Sequence, residues 1–177
     1  LEVRAAPLEL RITTGRRLTG YAAIFNSPAT IGAFQEIILP GAFRSDLLSG
    51  RDALLLSDHD VSRVLARTKA GSLRMVETGK GLHFEADVAA TSVGNDVLEL
   101  VRSGNAGGMS FGFRVKQDRW PTRERRELVE VELFEISVVS AWPAYPQTEV
   151  AARARALMPP SPSPRLMLAR RWLETVR

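Results

Sequence analysis

The chain contains no cysteine. That excludes a disulfide framework and a thiolate metal site, and it suits a reducing cytoplasm. No apolar run approaches the ~20 residues that a membrane-spanning helix needs, so no membrane partner is expected. No basic-then-apolar secretory signal opens the chain. It begins on Leu1 in place of Met, which reads as a processed or trimmed N-terminus. No internal repeat is evident. Histidine is scarce as well, with only His59 and His83. Any imidazole chemistry must therefore come from one of these two.

What remains is an ordinary soluble composition. The 177 residues suffice for one domain with a real core. A hydrophobic share of 45% with 25% charged residues is typical of globular proteins. The net charge of +4 is unevenly placed. From Ala151 onward six arginines (Arg153, Arg155, Arg165, Arg170, Arg171, Arg177) face a single acid, Glu174. That leaves 18 of the 24 basic and 19 of the 20 acidic residues in 1–150, a net of −1. A nucleic-acid-binding domain carries its basic patch on the folded body. No such patch is indicated here, which argues against nucleic acid as a partner.

Alternating apolar residues and short turns predict mostly strands in 1–150. The clearest are RLTGYAAIFN (17–26), FQEIIL (34–39), ALLLSD (53–58), GSLRMVE (71–77), GLHFEADV (81–88), MSFGFRV (109–115) and ELVEVELFEISVV (127–139). TGKG (78–81) predicts a hairpin connection. GAFRSDLLSG (41–50) predicts a short helix. TSVGNDVLELVRSG (91–104) predicts a clearer one, with Val93, Val97, Leu100 and Val101 on one face. Thr91 or Ser92 caps its start and Gly104 its end. The expected organisation is a domain over 1–150 and a Pro/Arg-rich tail over 151–177. Four prolines at 159–164 make the tail's linker semi-rigid. Its final segment puts Leu166, Ala169, Trp172, Leu173 and Val176 on one helical face, either docked on the body or held out as a detachable peptide.

Three stretches hold candidate chemistry. In MSFGFRV, Met109, Phe111, Phe113 and Val115 share the core face. Ser110, Gly112 and Arg114 share the other. Ser110 is there either a bystander on a solvated face or a nucleophile on a rigid strand, and Gly112 leaves room for something to approach the backbone. In LLLSDHDVSRVL, His59 lies just past an apolar strand, where a side chain can face a cleft. Asp58 and Asp60 flank it, but neighbours on a continuing strand point to opposite faces. In VEVELFEISVV, Glu135 falls in phase with Val129, Val131 and Leu133, so it interrupts an apolar face. A carboxylate there needs a partner, either an arginine in a structural ion pair or a histidine. His83, in an alternating strand, reads as an ordinary structural residue.

Together Ser110, His59 and Glu135 supply a nucleophile, a base and an orienting carboxylate. A serine needs a positioned base. An imidazole suits that task, and a carboxylate behind it sets the tautomer. Spacing does not test the set, because such triads occur in any chain order.

At this point the sequence resembles the prohead maturation proteases of tailed bacteriophages. The pieces that carry the resemblance occur in the family's order: GYAAIFNSP (20–28), ILPGAF (38–43), DHD (58–60) with VLART (64–68), GLHFEADV (81–88), LELVRSG (98–104), GGMSFGFRV (107–115) and LFEISVVSAWPAYPQT (133–148). The family is similar to the herpesvirus capsid-maturation protease, assemblin. The resemblance implies an α+β, mainly β fold, with a closed or partly open β-barrel flanked by helices. It implies a serine endopeptidase with Ser110 as nucleophile and His59 as general base. Glu135 takes the place of the second histidine of the herpesvirus enzymes, with Asp60 in reserve. Oxyanion donors are not readable, and backbone N–H groups near Ser110, Phe111 or Gly112 are the nearest candidates. No cofactor and no metal is expected.

The implied substrates are the scaffolding segment of the major capsid protein precursor, other internal proteins and the protease itself. The implied place is the assembling prohead in the host bacterial cytoplasm. The tail then reads as a removable targeting segment, and a homodimer is among the expected partners. Three rivals stand beside this reading. One is a non-catalytic capsid-associated protein of the same fold. The second is a metal-dependent hydrolase using Asp58, His59 and Asp60. The third is nucleic-acid binding through the tail.

Overall fold

The computed structural model describes residues 1–6, 10–106 and 108–140. The tail, and with it the expected linker and terminal helix, lies outside the described residues. Eleven strands and two helices follow in chain order: β1 (Glu2–Ala6), β2 (Leu10–Ile12), β3 (Arg17–Ile24), β4 (Ala29–Ile31), β5 (Phe34–Ile38), α1 (Arg44–Leu48), β6 (Leu54–Ser57), β7 (Asp60–Arg67), β8 (Leu73–Glu77), β9 (Gly81–Asp87), α2 (Ser92–Arg102), β10 (Gly108–Thr122) and β11 (Arg125–Val139). Among the described residues no helix is long and apolar enough to cross a membrane.

The strands form two sheets. One has seven strands, with β1, β10, β11, β5 and β4 in order and the β6–β7 hairpin branching from β11. The other has four, in the order β2, β3, β9, β8. The fold is thus α+β and mainly β, but the sheets do not close into a barrel. β11 explains part of this. Along one edge it pairs in parallel with two different strands: Arg125–Leu128 with β5, and Glu135–Val138 with β6. Its length serves two short partners and does not run on around a cylinder.

The core follows from the alternation. Met109, Phe111 and Phe113 of β10 pack with Leu133, Ile136 and Val138 of β11 and with Leu18, Leu82 and Phe84 of the four-stranded sheet. Each such side chain contributes about 1.5–3 kcal/mol on burial. α2 starts where expected: the Thr91 hydroxyl accepts the Gly94 N–H at 3.1 Å. Gly104, at φ +72°, supplies the left-handed residue beyond its end. Val97 and Leu98 are its deepest side chains, whereas the sequence pattern puts Leu100 in that row.

β10, at fifteen residues, runs well beyond its apolar pattern at 109–115, whereas β11, also fifteen residues, is nearly spanned by the pattern at 127–139. The outer half of β10 is polar, and cross-strand pairs such as Lys116–Glu130 and Arg119–Glu127 hold it to β11 as one ribbon. A buried ionic cluster fastens β1 to it. Arg126, 2% exposed, donates to Asp118, Glu2 and Glu36. Arg4 donates to Glu2 and Glu36. Burial opposes the charge on Arg126, yet the hydrogen bonds to Glu2 and Asp118 hold its pKa above the ordinary guanidinium value.

Candidate active site

The site begins at a tight turn. β6 ends at Ser57 and β7 begins at Asp60, and these two residues are paired across the hairpin. Only Asp58 and His59 lie between them, at φ +54° and +61°. Positive φ at both central residues defines the turn that suits the twist of a two-residue hairpin. His59 therefore sits on a turn and not on a continuing strand. Holding two non-glycine residues there is costly, and β11 supplies the compensation. Val138 accepts the Asp58 N–H at 2.9 Å, and the Ser137 hydroxyl accepts the His59 N–H at 3.3 Å. The Asp58 carboxylate accepts from the Ser140 N–H, the Ser140 hydroxyl, the Ser57 hydroxyl and Arg63. Burial works against its charge, but these donors hold its pKa below the usual carboxylate range.

The second part is a fault in the β10–β11 ladder. Gly112 pairs with Glu135, but Phe113 pairs with Leu133, so Phe134 has no partner. This β-bulge shifts the phase of β11 by one residue. On its far side Ile136 and Val138 take up the core face, opposite Phe111 and Met109. Glu135 and Ser137 turn to the other face, beside Gly112 and Ser110. Strict alternation puts Glu135 on the apolar face of Val131 and Leu133. The structure corrects this: the bulge takes it off that face, and its partner is a histidine. His59 Nδ1 lies 2.8 Å from Glu135 Oε1. An ionised carboxylate can only accept, so Nδ1 donates. Nε2 makes no hydrogen bond among the described residues, and the ring is 31% exposed.

Gly112 makes room for this pair. A Cβ built there would lie 2.4 Å from Glu135 Oε1. The sequence expectation of a close approach at this glycine is met, by a carboxylate of the neighbouring strand.

Ser110 shares the face of Glu135 and pairs directly with Ser137. It is not on a solvated face, being 0% exposed. Its hydroxyl donates to the Arg4 carbonyl of β1 at 2.8 Å and not to the imidazole. The structure thus brings His59 and Glu135 into contact and puts Ser110 on the same patch, one strand away. The main-chain groups of Ser110, Phe111 and Gly112 are bounded by strands on both edges, β1 and β11.

Asp60 is not brought to the imidazole. Its carboxylate accepts the N–H and hydroxyl of Ser62, and those bonds hold its pKa below the usual range. Asp58, His59 and Asp60 thus have three separate sets of partners and do not converge on one point. His83 lies in the other sheet, where Nε2 is 3.1 Å from the Thr19 hydroxyl and the ring packs edge-on against Tyr21. Its structural reading holds. Sequence reasoning assigns no role to Ser137. The available signal is its position two residues beyond Glu135, on the same face.

A serine, an imidazole and a carboxylate on one side of a sheet is a constellation of serine hydrolases. The chain belongs to the caudovirus prohead serine protease family, whose model matches residues 4–160. It is accordingly a serine protease with a role in proteolytic capsid maturation. Its fold is similar to that of the bacteriophage T4 capsid assembly protease, gp21, with a TM-score of 0.53. The two share 12% identity, over 79% of this chain and 96% of that one. Among curated protein sequences none matches.

Proposed function

We propose that this protease cleaves the scaffolding segment of the major capsid protein precursor, and itself, inside the assembling prohead in the host cytoplasm. Ser110 is the nucleophile, His59 the general base and Glu135 the orienting residue. The observation that carries the reading is the 2.8 Å bond between His59 Nδ1 and Glu135 Oε1, on the face that also bears Ser110. With Nδ1 committed as a donor, the neutral ring keeps its lone pair on Nε2, the atom a general base must use.

In the reaction the Ser110 hydroxyl turns from the Arg4 carbonyl and its proton passes to Nε2 as Oγ adds to the scissile carbonyl. The imidazolium then protonates the leaving amine, which departs and leaves an acyl-enzyme. Water, deprotonated by the same imidazole, hydrolyses that ester and restores Ser110. Since Ser110 is fully buried here, substrate binding includes a movement that uncovers it.

The relation to assemblin enters as part of this reading, supported by the sequence motifs. The 1–150 and 151–177 division belongs to it too, with the Arg-rich tail as a removable targeting segment, and so does assembly as a homodimer. The test is intact-mass spectrometry of wild type and Ser110→Ala, each incubated with the capsid-protein precursor. Cleavage by wild type alone supports the reading. Equal cleavage by both would remove Ser110 from the chemistry. Cleavage by neither, inside assembled proheads as well as in solution, would leave a structural relative of the same fold.

A further inference from the structure

Ser137 touches both members of the His59–Glu135 pair. Its hydroxyl donates to Glu135 Oε2 at 2.6 Å and accepts the main-chain N–H of His59 at 3.3 Å. It is 0% exposed, and Glu135 is 7% exposed. A hydroxyl has one proton to give. Because the carboxylate accepts only, that proton is committed to Oε2 and a lone pair is left for the His59 amide. The two carboxylate oxygens are thereby made inequivalent: Oε2 is tied to its own strand, and Oε1 is presented to Nδ1. The same hydroxyl also seats the strained turn on which the ring stands.

We propose that Ser137 is the positioning residue of this site: it holds the Glu135 carboxylate and the His59 backbone so that the imidazole keeps its proton on Nδ1. This rests on the triad reading for its effect on cleavage, but its structural content can be tested apart from cleavage. Arginine plays no part in the pairing, since no Arg or Lys side chain forms an ion pair with Glu135 among the described residues. The orientation of the carboxylate therefore depends on neutral donors, and Ser137 is the one on its own strand.

The experiment is ¹⁵N NMR of the full chain with labelled histidine, at a pH above the imidazole titration. Only two histidines contribute, and His83 serves as an internal control of the fold. In wild type, His59 is expected to show a protonated Nδ1 and a bare Nε2. Ser137→Ala is expected to move both nitrogens toward the averaged values of a tautomer mixture, with His83 unchanged. Ser137→Thr, which keeps the hydroxyl, should restore the wild-type pattern. Ser137→Cys, nearly isosteric with a weak donor, gives the same readout if the alanine variant does not fold. Cleavage of the precursor is expected to lose about 10- to 100-fold in kcat in Ser137→Ala, with KM little changed. In a Glu135→Gln background the same change should cost little more, because the two residues act as one unit. An unchanged His59 tautomer in Ser137→Ala, or full additivity with Glu135→Gln, overturns the proposal. Cleavage by Ser110→Ala would overturn the triad reading and leave the tautomer result standing.

Discussion

Gly112 lies directly beneath the carboxylate of Glu135: a Cβ on Gly112 would come within 2.4 Å of Oε1, the oxygen that accepts from His59. No other residue type leaves the carboxylate in that place. Gly112→Ala is therefore expected to push Glu135 off His59 Nδ1 while the barely altered strand folds. The core face of β10, with Phe111 and Phe113, is untouched by the change. Precursor cleavage should fall about 10²- to 10⁴-fold, with a thermal midpoint within a few degrees of wild type. Cleavage at the wild-type rate would show that the carboxylate can move without consequence.

Glu135→Gln keeps the shape of the side chain but offers Nδ1 an amide. The amide can present a donor to the ring and so favour the wrong tautomer. A drop on the order of 10⁴-fold in kcat is expected, as for the equivalent change in other serine triads. Asp60→Asn should leave kcat near wild type, because Asp60 is bonded to Ser62 and not to the ring. Steady-state cleavage of a precursor peptide separates the two, and the reverse ranking would restore Asp60 as the third member.

Cleavage should also decline on the acid side. The base must be neutral to take the Ser110 proton, so activity falls as the imidazole becomes charged. A rate that does not fall on acidification would contradict the role of His59 as the base.

Arg126 predicts a stability effect remote from the chemistry. It is 2% exposed and bonded to Glu36, also 2% exposed, and to Glu2 and Asp118. Arg126→Ala strands Glu36 with a single cationic partner, Arg4, and removes the link from β11 to Glu2 of β1 and Asp118 of β10. A loss of about 3–5 kcal/mol is expected by urea denaturation. A loss below about 1 kcal/mol would mean that water enters and solvates the acids.

Acid stability follows from the carboxylates. Hydrogen bonds from Arg67 and the Lys69 N–H lower Asp52 to about 2, and Asp87, Glu127 and Glu130 are likewise held below their ordinary values by arginine or lysine. A group depressed in the folded state stabilises above its unfolded pKa, near 3.9 for Asp, and loses that contribution as pH falls through the folded value. The thermal midpoint should therefore be level above about pH 5 and decline between about pH 4 and pH 2. Asp52→Asn should flatten that decline. A midpoint that rises on acidification would refute the assignment.

Several elements are legible in the amino-acid sequence alone. The alternation of Met109, Phe111 and Phe113 is local, and so is the TGKG hairpin, which closes between β8 and β9 with the Thr78 N–H on the Gly81 carbonyl. The Thr91 cap is equally local. The strands β2 and β4 are not legible, because three residues carry too little periodicity to stand out, and β1 offers only one large apolar residue, Val3. β7 escapes for a different reason. Its first half is exposed and polar, and the turn before it carries no glycine or proline to mark it. The outer half of β10 is polar as well, so its apolar pattern ends at Val115, whereas the pattern of β11 is legible over nearly its whole length.

The sequence by itself determined which chemistry was available: one serine beside a backbone gap, one histidine beyond an apolar strand, and one carboxylate among apolar neighbours. It also carried the motifs by which the family is known. The tertiary structure alone decided which groups meet. Side-chain direction on a strand follows a period of two, and one unpaired residue reverses it. Phe134 is that residue. Its bulge is defined only by the register with β10, about twenty positions away in the chain. The left-handed turn at Asp58–His59 likewise persists because β11 and the Ser140 that follows it accept from it and donate to it. Both features are contacts between distant segments, which local sequence does not encode.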